Sequence, residues 1–180
     1  MKAYGIFILL VGMTVVSRCH HPTPSAAAVE VAQGAVADSD QKVVNELMAA
    51  FDRAETAVQR ADLDALMLFY DENYNYHGLK RPDVRRVWAE VFSHYVQVRS
   101  KHVFTELKVV QSGSVKKAYV TCTGGLYGKE KESGKPLTID SWAGEVHFLV
   151  KENEAWKFLG NVGGAYPEVP PTSAPHHPLF

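Results

Sequence analysis

The chain has 180 residues, of which 46% are hydrophobic and 22% charged, with a formal net charge of −1. That length supports one domain with a real core rather than two. The near-neutral balance, with no Lys/Arg block, leaves out the basic footprint that nucleic-acid binding needs.

Met1-Lys2 followed by the apolar run Ala3–Val16 fits the n- and h-regions of a secretory signal, the run being short for a bilayer span. Two exits stay open. Val16-Ser17-Arg18-Cys19 resembles a bacterial lipoprotein box, which would remove residues 1–18 and lipidate Cys19. Ordinary cleavage near Ser25-Ala26-Ala27-Ala28 would remove residues 1–27. Either route exports the protein, as a periplasmic domain or a membrane-anchored lipoprotein, and the lipid would be its one membrane contact. An uncleaved anchor is the third alternative. Cys19 and Cys122 are the two cysteines, so both cleavage routes leave Cys122 without an intramolecular disulfide and the fold rests on its core. Cys122, inside Val120-Thr121-Cys122-Thr123, reads as a buried inert residue rather than a reactive thiol.

Residues 28–39 continue a Pro-, Ala- and Ser-rich stretch and read as a linker. The first helix is predicted from Asp40 to Arg60, with Val44, Leu47, Phe51, Ala54 and Val58 at helical spacing and Asp40 as a cap. A second starts at Asp62 and carries Leu63, Leu66, Met67 and Tyr70 on one face. A short strand, Tyr74–His77, closes at Gly78. The third helix has Pro82 in its first turn and an apolar stripe of Val84, Val87, Trp88, Val91, Phe92 and Tyr95.

The period then changes to alternation. Val103–Val109 forms a strand that ends in the turn Ser112-Gly113-Ser114. Ala118–Thr123 forms the next, with two weakly polar faces that suggest a central position. Gly128–Pro136 reads as a charged loop. Leu137–Val150 and Trp156–Val162 form a closing hairpin, with Asn153 as the left-handed turn residue. The domain is assigned to residues 40–166. Five prolines between Pro167 and Pro178 make residues 167–180 an extended tail.

The order helix, helix, short strand, helix and four strands resembles the nuclear-transport-factor-2-like superfamily, specifically its small polyketide-cyclase-like (SnoaL-like) members. The resemblance covers residues 40–165. It rests on that order, on Asp62-Leu63-Asp64-Ala65-Leu66, Tyr70-Asp71-Glu72-Asn73-Tyr74 and His77-Gly78, and on the ending Trp156-Lys157-Phe158-Leu159-Gly160-Asn161. It implies an α+β, cystatin-like cone: a curved antiparallel sheet packed on three N-terminal helices, with a pocket inside and frequent dimerisation through the sheet.

Alternation along the strand from Thr138 places Asp140, Trp142, Val146, Phe148 and Val150 on one face, taken as interior. A desolvated Asp140 beside Trp142 would serve as an acid or base. The simpler readings are a wet strand end, or a bulge at Gly144 that reverses the parity. Glu145 and His147 fall on the opposite face, toward solvent or a homodimer partner. His77 is the general-base candidate by residue type, and a surface histidine before a turn is its plainer reading. His94 reads as solvated and paired with Glu90. The ligand-binding candidates are Tyr70, Tyr76, His77, Trp88, Tyr95, Asp140 and Trp142, and each aromatic among them is individually more ordinary as core. The pairs His20-His21 and His176-His177 lie in the terminal stretches, and no metal-ligand spacing, phosphate loop or nucleophile elbow appears, so no metal or cofactor is expected.

Three functions compete. One is an exported, non-catalytic domain that binds a small apolar or aromatic ligand or a protein partner. Another is a dehydratase, isomerase or cyclase that uses Asp140 or His77. The last is a dimeric scaffold module working through its sheet. The first is preferred, because no acid/base pair has independent support.

Overall fold

The computed structural model describes residues 28–76 and 78–160. The candidate signal segment with Cys19, the general-base candidate His77 and the Pro-rich stretch 167–180 lie outside the described residues.

The first strand, β1, spans Val29–Asp38, where the composition suggested a linker. Val29 is buried, and β1 pairs in parallel with a later strand, so sheet pairing overrides a sequence rich in alanine. Helix α1 follows, Gln41–Gln59, and Asp40 Oδ1 accepts the Val43 N–H at 2.8 Å as its N-cap. Its apolar stripe is buried from Val43 to Val58 and contains one carboxylate, Glu55. Helix α2 is shorter than its sequence pattern, Leu63–Met67, again with an aspartate cap from Asp62. It ends before Tyr70 because the next segment is captured by a strand at the other end of the chain. The Phe158 N–H bonds Phe69 C=O, and Tyr70 pairs with Phe158 in parallel. Strand β2 therefore begins early, Tyr70–Tyr76, and β3 is the dipeptide Leu79–Lys80. Helix α3, Arg81–His94, carries Pro82 in its first turn and buries Val84, Trp88 and Val91.

Three long strands follow: β4 Tyr95–Ser112, β5 Val115–Glu130 and β6 Pro136–Glu152. The shorter β7, Ala155–Gly160, closes the described chain. Residues 128–130, expected in a loop, belong to β5. Glu152 pairs with Ala155 across the loop Asn153-Glu154, both left-handed at φ 46° and 64°. A two-residue turn with both φ positive matches the strand twist.

The sheet order is β1-β4-β5-β6-β7-β2-β3. It is a mixed α+β sheet rather than a wholly antiparallel one, because β1–β4 and β2–β7 are parallel. Strand β5 is central, as its weakly polar faces suggested. Helices α1 and α3 pack on one side of the curved sheet. The core lies between them, with Phe51, Trp88, Phe104, Leu107 and Leu149 almost fully inaccessible.

One irregularity decides which residues enter that core. Cys122 pairs with Glu145 and Gly124 with Trp142, so three β6 steps run against two on β5. The extra residue is absorbed at Gly144, at φ 67°, whose N–H donates to Thr123 Oγ1 at 2.9 Å. Beyond this bulge the parity reverses. Trp142 is inside as expected. Val146, Phe148 and Val150 are not in the main core; the latter two form a second cluster with Leu159, against Tyr119 and Val146. His147, assigned outward by simple alternation, is buried at 3% exposure.

Candidate functional site

Inward-facing positions of three neighbouring strands bring together His102 of β4, Cys122 of β5 and His147 of β6. Their exposures are 1%, 0% and 3%, and each offers a ligand-type atom within 4.8 Å of the others. Cys122 Sγ lies 3.6 Å from His102 Nδ1. Trp142 Nε1–H donates to the same sulfur at 3.3 Å. The indole reaches it because Gly124 has no side chain; a Cβ there would sit 2.9 Å from the Trp142 ring. Phe51 from α1 caps the group, with ring centroids 5.1 Å from His102 and 6.1 Å from His147. Phe158 closes the far side of His147 at 5.2 Å.

A second layer extends from the other nitrogen of His102. Its Nε2 lies 3.1 Å from Ser100 Oγ, and Ser100 donates both its hydroxyl and its backbone N–H to Glu55 Oε2. Gln59 Nε2 donates to Glu55 Oε1 at 2.8 Å. Glu55 is 2% exposed and has no cation partner among the described residues. A chain of four polar side chains, Glu55-Ser100-His102-Cys122, thus crosses an aromatic interior. Each hydrogen bond in it offsets part of the cost of burying these groups.

Burial sets the protonation states. It raises the Glu55 carboxyl above its ordinary range, against the lowering effect of the Ser100 and Gln59 hydrogen bonds. Burial, with the neighbouring His147, holds the His102 imidazole well below its ordinary value, so it is neutral. The Cys122 thiol is pushed up to about 11 by burial, despite the Trp142 donor. At neutral pH the pair is thiol and imidazole, not the thiolate–imidazolium couple of a cysteine nucleophile.

A separate cavity of about 280 Å³ opens beside α1, where α2 meets β7, lined by Ala50, Arg53, Ala54, Leu68, Phe69 and Trp156 among others. Leu68 is 72% exposed. Phe69 meets Phe51 edge-to-face at 5.2 Å, so one aromatic pair separates this cavity from the histidine–cysteine cluster.

The sequence candidates are dispersed. Trp88 Nε1–H donates to Tyr70 Oη at 2.8 Å with both residues buried, and Tyr74 packs edge-to-face on Tyr70 at 5.1 Å. Burial raises the Tyr70 and Tyr74 phenols above their ordinary value. Tyr76 and Tyr95 are partly buried at the core's margin. Asp140 is half-buried opposite Leu126, with one carboxylate oxygen on the Ser141 N–H at 2.8 Å. Glu145 is half-buried opposite Cys122, and His94 is exposed as expected. Of the six ligand candidates among the described residues, Trp142 alone joins the cluster. Residue type and alternation do not single out Glu55, Ser100 and His102 in the sequence. Their signals were a carboxylate on the apolar stripe of α1, and the alternation Val98, Ser100, His102, Phe104 leading into a strand read as starting at Val103.

No family profile and no curated protein sequence matches the chain. Solved structures do. A conserved protein from Planctomyces limnophilus aligns at TM-score 0.53 and 10% identity over 67% of this chain and 94% of its own. A protein from Novosphingobium aromaticivorans, assigned as a scytalone dehydratase, aligns at TM-score 0.51 and 10% identity over 66% and 80%. A ketosteroid isomerase-like protein from Erwinia carotovora atroseptica aligns at TM-score 0.48 and 19% identity over 67% and 94%. The first two likenesses bear on the fold alone.

Proposed function

From the nuclear-transport-factor-2-like cone fold that this chain has, we propose that it is an exported domain that binds a small apolar or aromatic molecule carrying an acidic group. The observation that carries this reading is the cavity beside α1. Its walls are alanines, Phe69 and Trp156, its rim includes the exposed Leu68, and Arg53 is its one charged lining residue. Apolar walls with a single oriented charge are the usual composition of a small-ligand site. The thiol and imidazole of the interior cluster are neutral and sealed, which favours binding over nucleophilic catalysis.

Thermal-shift and native mass-spectrometric screening against aromatic and alkyl carboxylates tests this. Binding should weaken about tenfold in Arg53→Glu and also fall in Leu68→Asp, with the unliganded melting temperature little changed because both side chains are exposed. A panel that gives no shift, or a shift indifferent to both variants, would overturn the reading.

Export is part of the proposal and rests on residues 1–27; cell fractionation of the chain and of Cys19→Ser tests it. Homodimerisation through the sheet is likewise proposed, with sedimentation as its test. His147 is too buried to contribute to that interface.

A further inference from the structure

We propose that His102, Cys122 and His147 form a binding site for a borderline-soft divalent transition-metal ion of the zinc class. The cluster is separate from the proposed ligand cavity, and the inference does not depend on it. Two imidazoles and one thiol are the donor types such ions select. They come from three adjacent strands, so sheet pairing holds them together without any local sequence spacing. The distances fit. A metal at about 2.0–2.1 Å from nitrogen and about 2.3 Å from sulfur, in tetrahedral geometry, separates those donors by about 3.6 Å. His102 Nδ1 and Cys122 Sγ are 3.6 Å apart. The widest donor separation is bounded by 4.8 Å, within reach of a small side-chain rotation. Three protein donors leave the fourth tetrahedral position to an exogenous ligand.

The surroundings match a metal site better than they match plain core. A ligating histidine ordinarily gives its other nitrogen to an acceptor that fixes the ring. Here that nitrogen is 3.1 Å from Ser100 Oγ, which is itself bonded to Glu55. Trp142 N–H points at the sulfur, where it would stabilise a thiolate. Charge also balances. A divalent ion, one thiolate and the Glu55 carboxylate sum to zero, which would give the buried carboxylate the compensating cation it otherwise lacks among the described residues. The ligand form of cysteine is the thiolate, so binding must release the Cys122 proton and strengthen as pH rises.

The test is a cobalt(II) titration of the metal-stripped, reduced chain carrying Cys19→Ser, which leaves Cys122 as the one thiol. One equivalent should bring in the near-ultraviolet thiolate-to-cobalt charge-transfer band together with tetrahedral visible bands. Zinc should displace the cobalt one for one and raise the melting temperature. Cys122→Ser should lose the charge-transfer band, and His147→Gln should weaken binding at least tenfold. Glu55→Gln should keep the band and weaken binding about tenfold, as an outer-shell change does. Visible absorption without the charge-transfer band, as the terminal histidine pairs alone could give, would overturn the proposal. So would a melting temperature indifferent to zinc. Circular dichroism of each variant separates lost binding from lost folding.

Discussion

Gly144 is the residue on which the interior depends, and its contribution is measurable. A Cβ at this position meets nothing within 4 Å, so Gly144→Ala has no clash to overcome. What it faces is the backbone: φ is 67°, a conformation that costs an L-residue about 1–2 kcal/mol. Asparagine tolerates that region better and valine worse, so the expected order of stability is Gly, Asn, Ala, Val. Deleting Gly144 is a different perturbation. Strict alternation would return, and either Trp142 or the pair His147 and Leu149 would have to leave the core. Trp142 is 4% exposed, and a tryptophan buries about 150–250 Å². At about 25 cal/mol per Å², exposing it costs about 4–6 kcal/mol, a large fraction of the stability of an ordinary domain. Urea unfolding followed by tryptophan fluorescence, with near-ultraviolet circular dichroism for packing, reads both effects. Two results would refute the reasoning. One is a deletion variant that unfolds cooperatively at the wild-type midpoint. The other is equal cost for alanine and asparagine, which would show that the backbone angle is not what matters.

The buried titratable groups predict opposed pH limbs. His102 has a lowered folded pKa, so its contribution is complete above its ordinary value of 6.5 and is lost as pH falls below it; His102→Gln should flatten the acid limb of melting temperature against pH. Glu55 has a raised folded pKa, so its contribution is complete below its ordinary value of 4.5 and is lost as pH rises through the folded pKa. Glu55→Gln should therefore raise the melting temperature of the metal-free chain at pH 8, an advantage that vanishes toward pH 4.5. Asp40→Ala removes the cap on the Val43 N–H and should cost about 1 kcal/mol in urea unfolding.

Much of the fold was legible because it is written locally. The stripe from Val44 to Val58, the aspartates before α1 and α2, Pro82 in the first turn of α3 and Asn153 in the last turn all act over a few residues. Each behaves in the structure as its spacing implies. Where the reading missed, a distant partner made the difference. Residues 28–39 looked like a linker, and Val29–Asp38 is a strand because β4 offers it an edge. Tyr70 looked like the last turn of α2 and is a strand residue because Phe158 pairs with it.

The candidate site was less legible, for a related reason. Residue type and parity point to Asp140, which pairs opposite Leu126 outside the cluster. His147 was excluded by the same parity count, which fails after one inserted residue. By itself the sequence determined the stripes of α1 and α3, the aspartate caps of α1 and α2, the central strand and the closing hairpin, since periodicity, capping and turn chemistry are set by neighbours in the chain. Only the tertiary structure decided that Glu55, Ser100, His102, Cys122 and His147 meet. That meeting depends on the bulge at Gly144, which the sequence offered as one of two parities, and on the order of strands in the sheet, which is set by long-range pairing that no local spacing encodes.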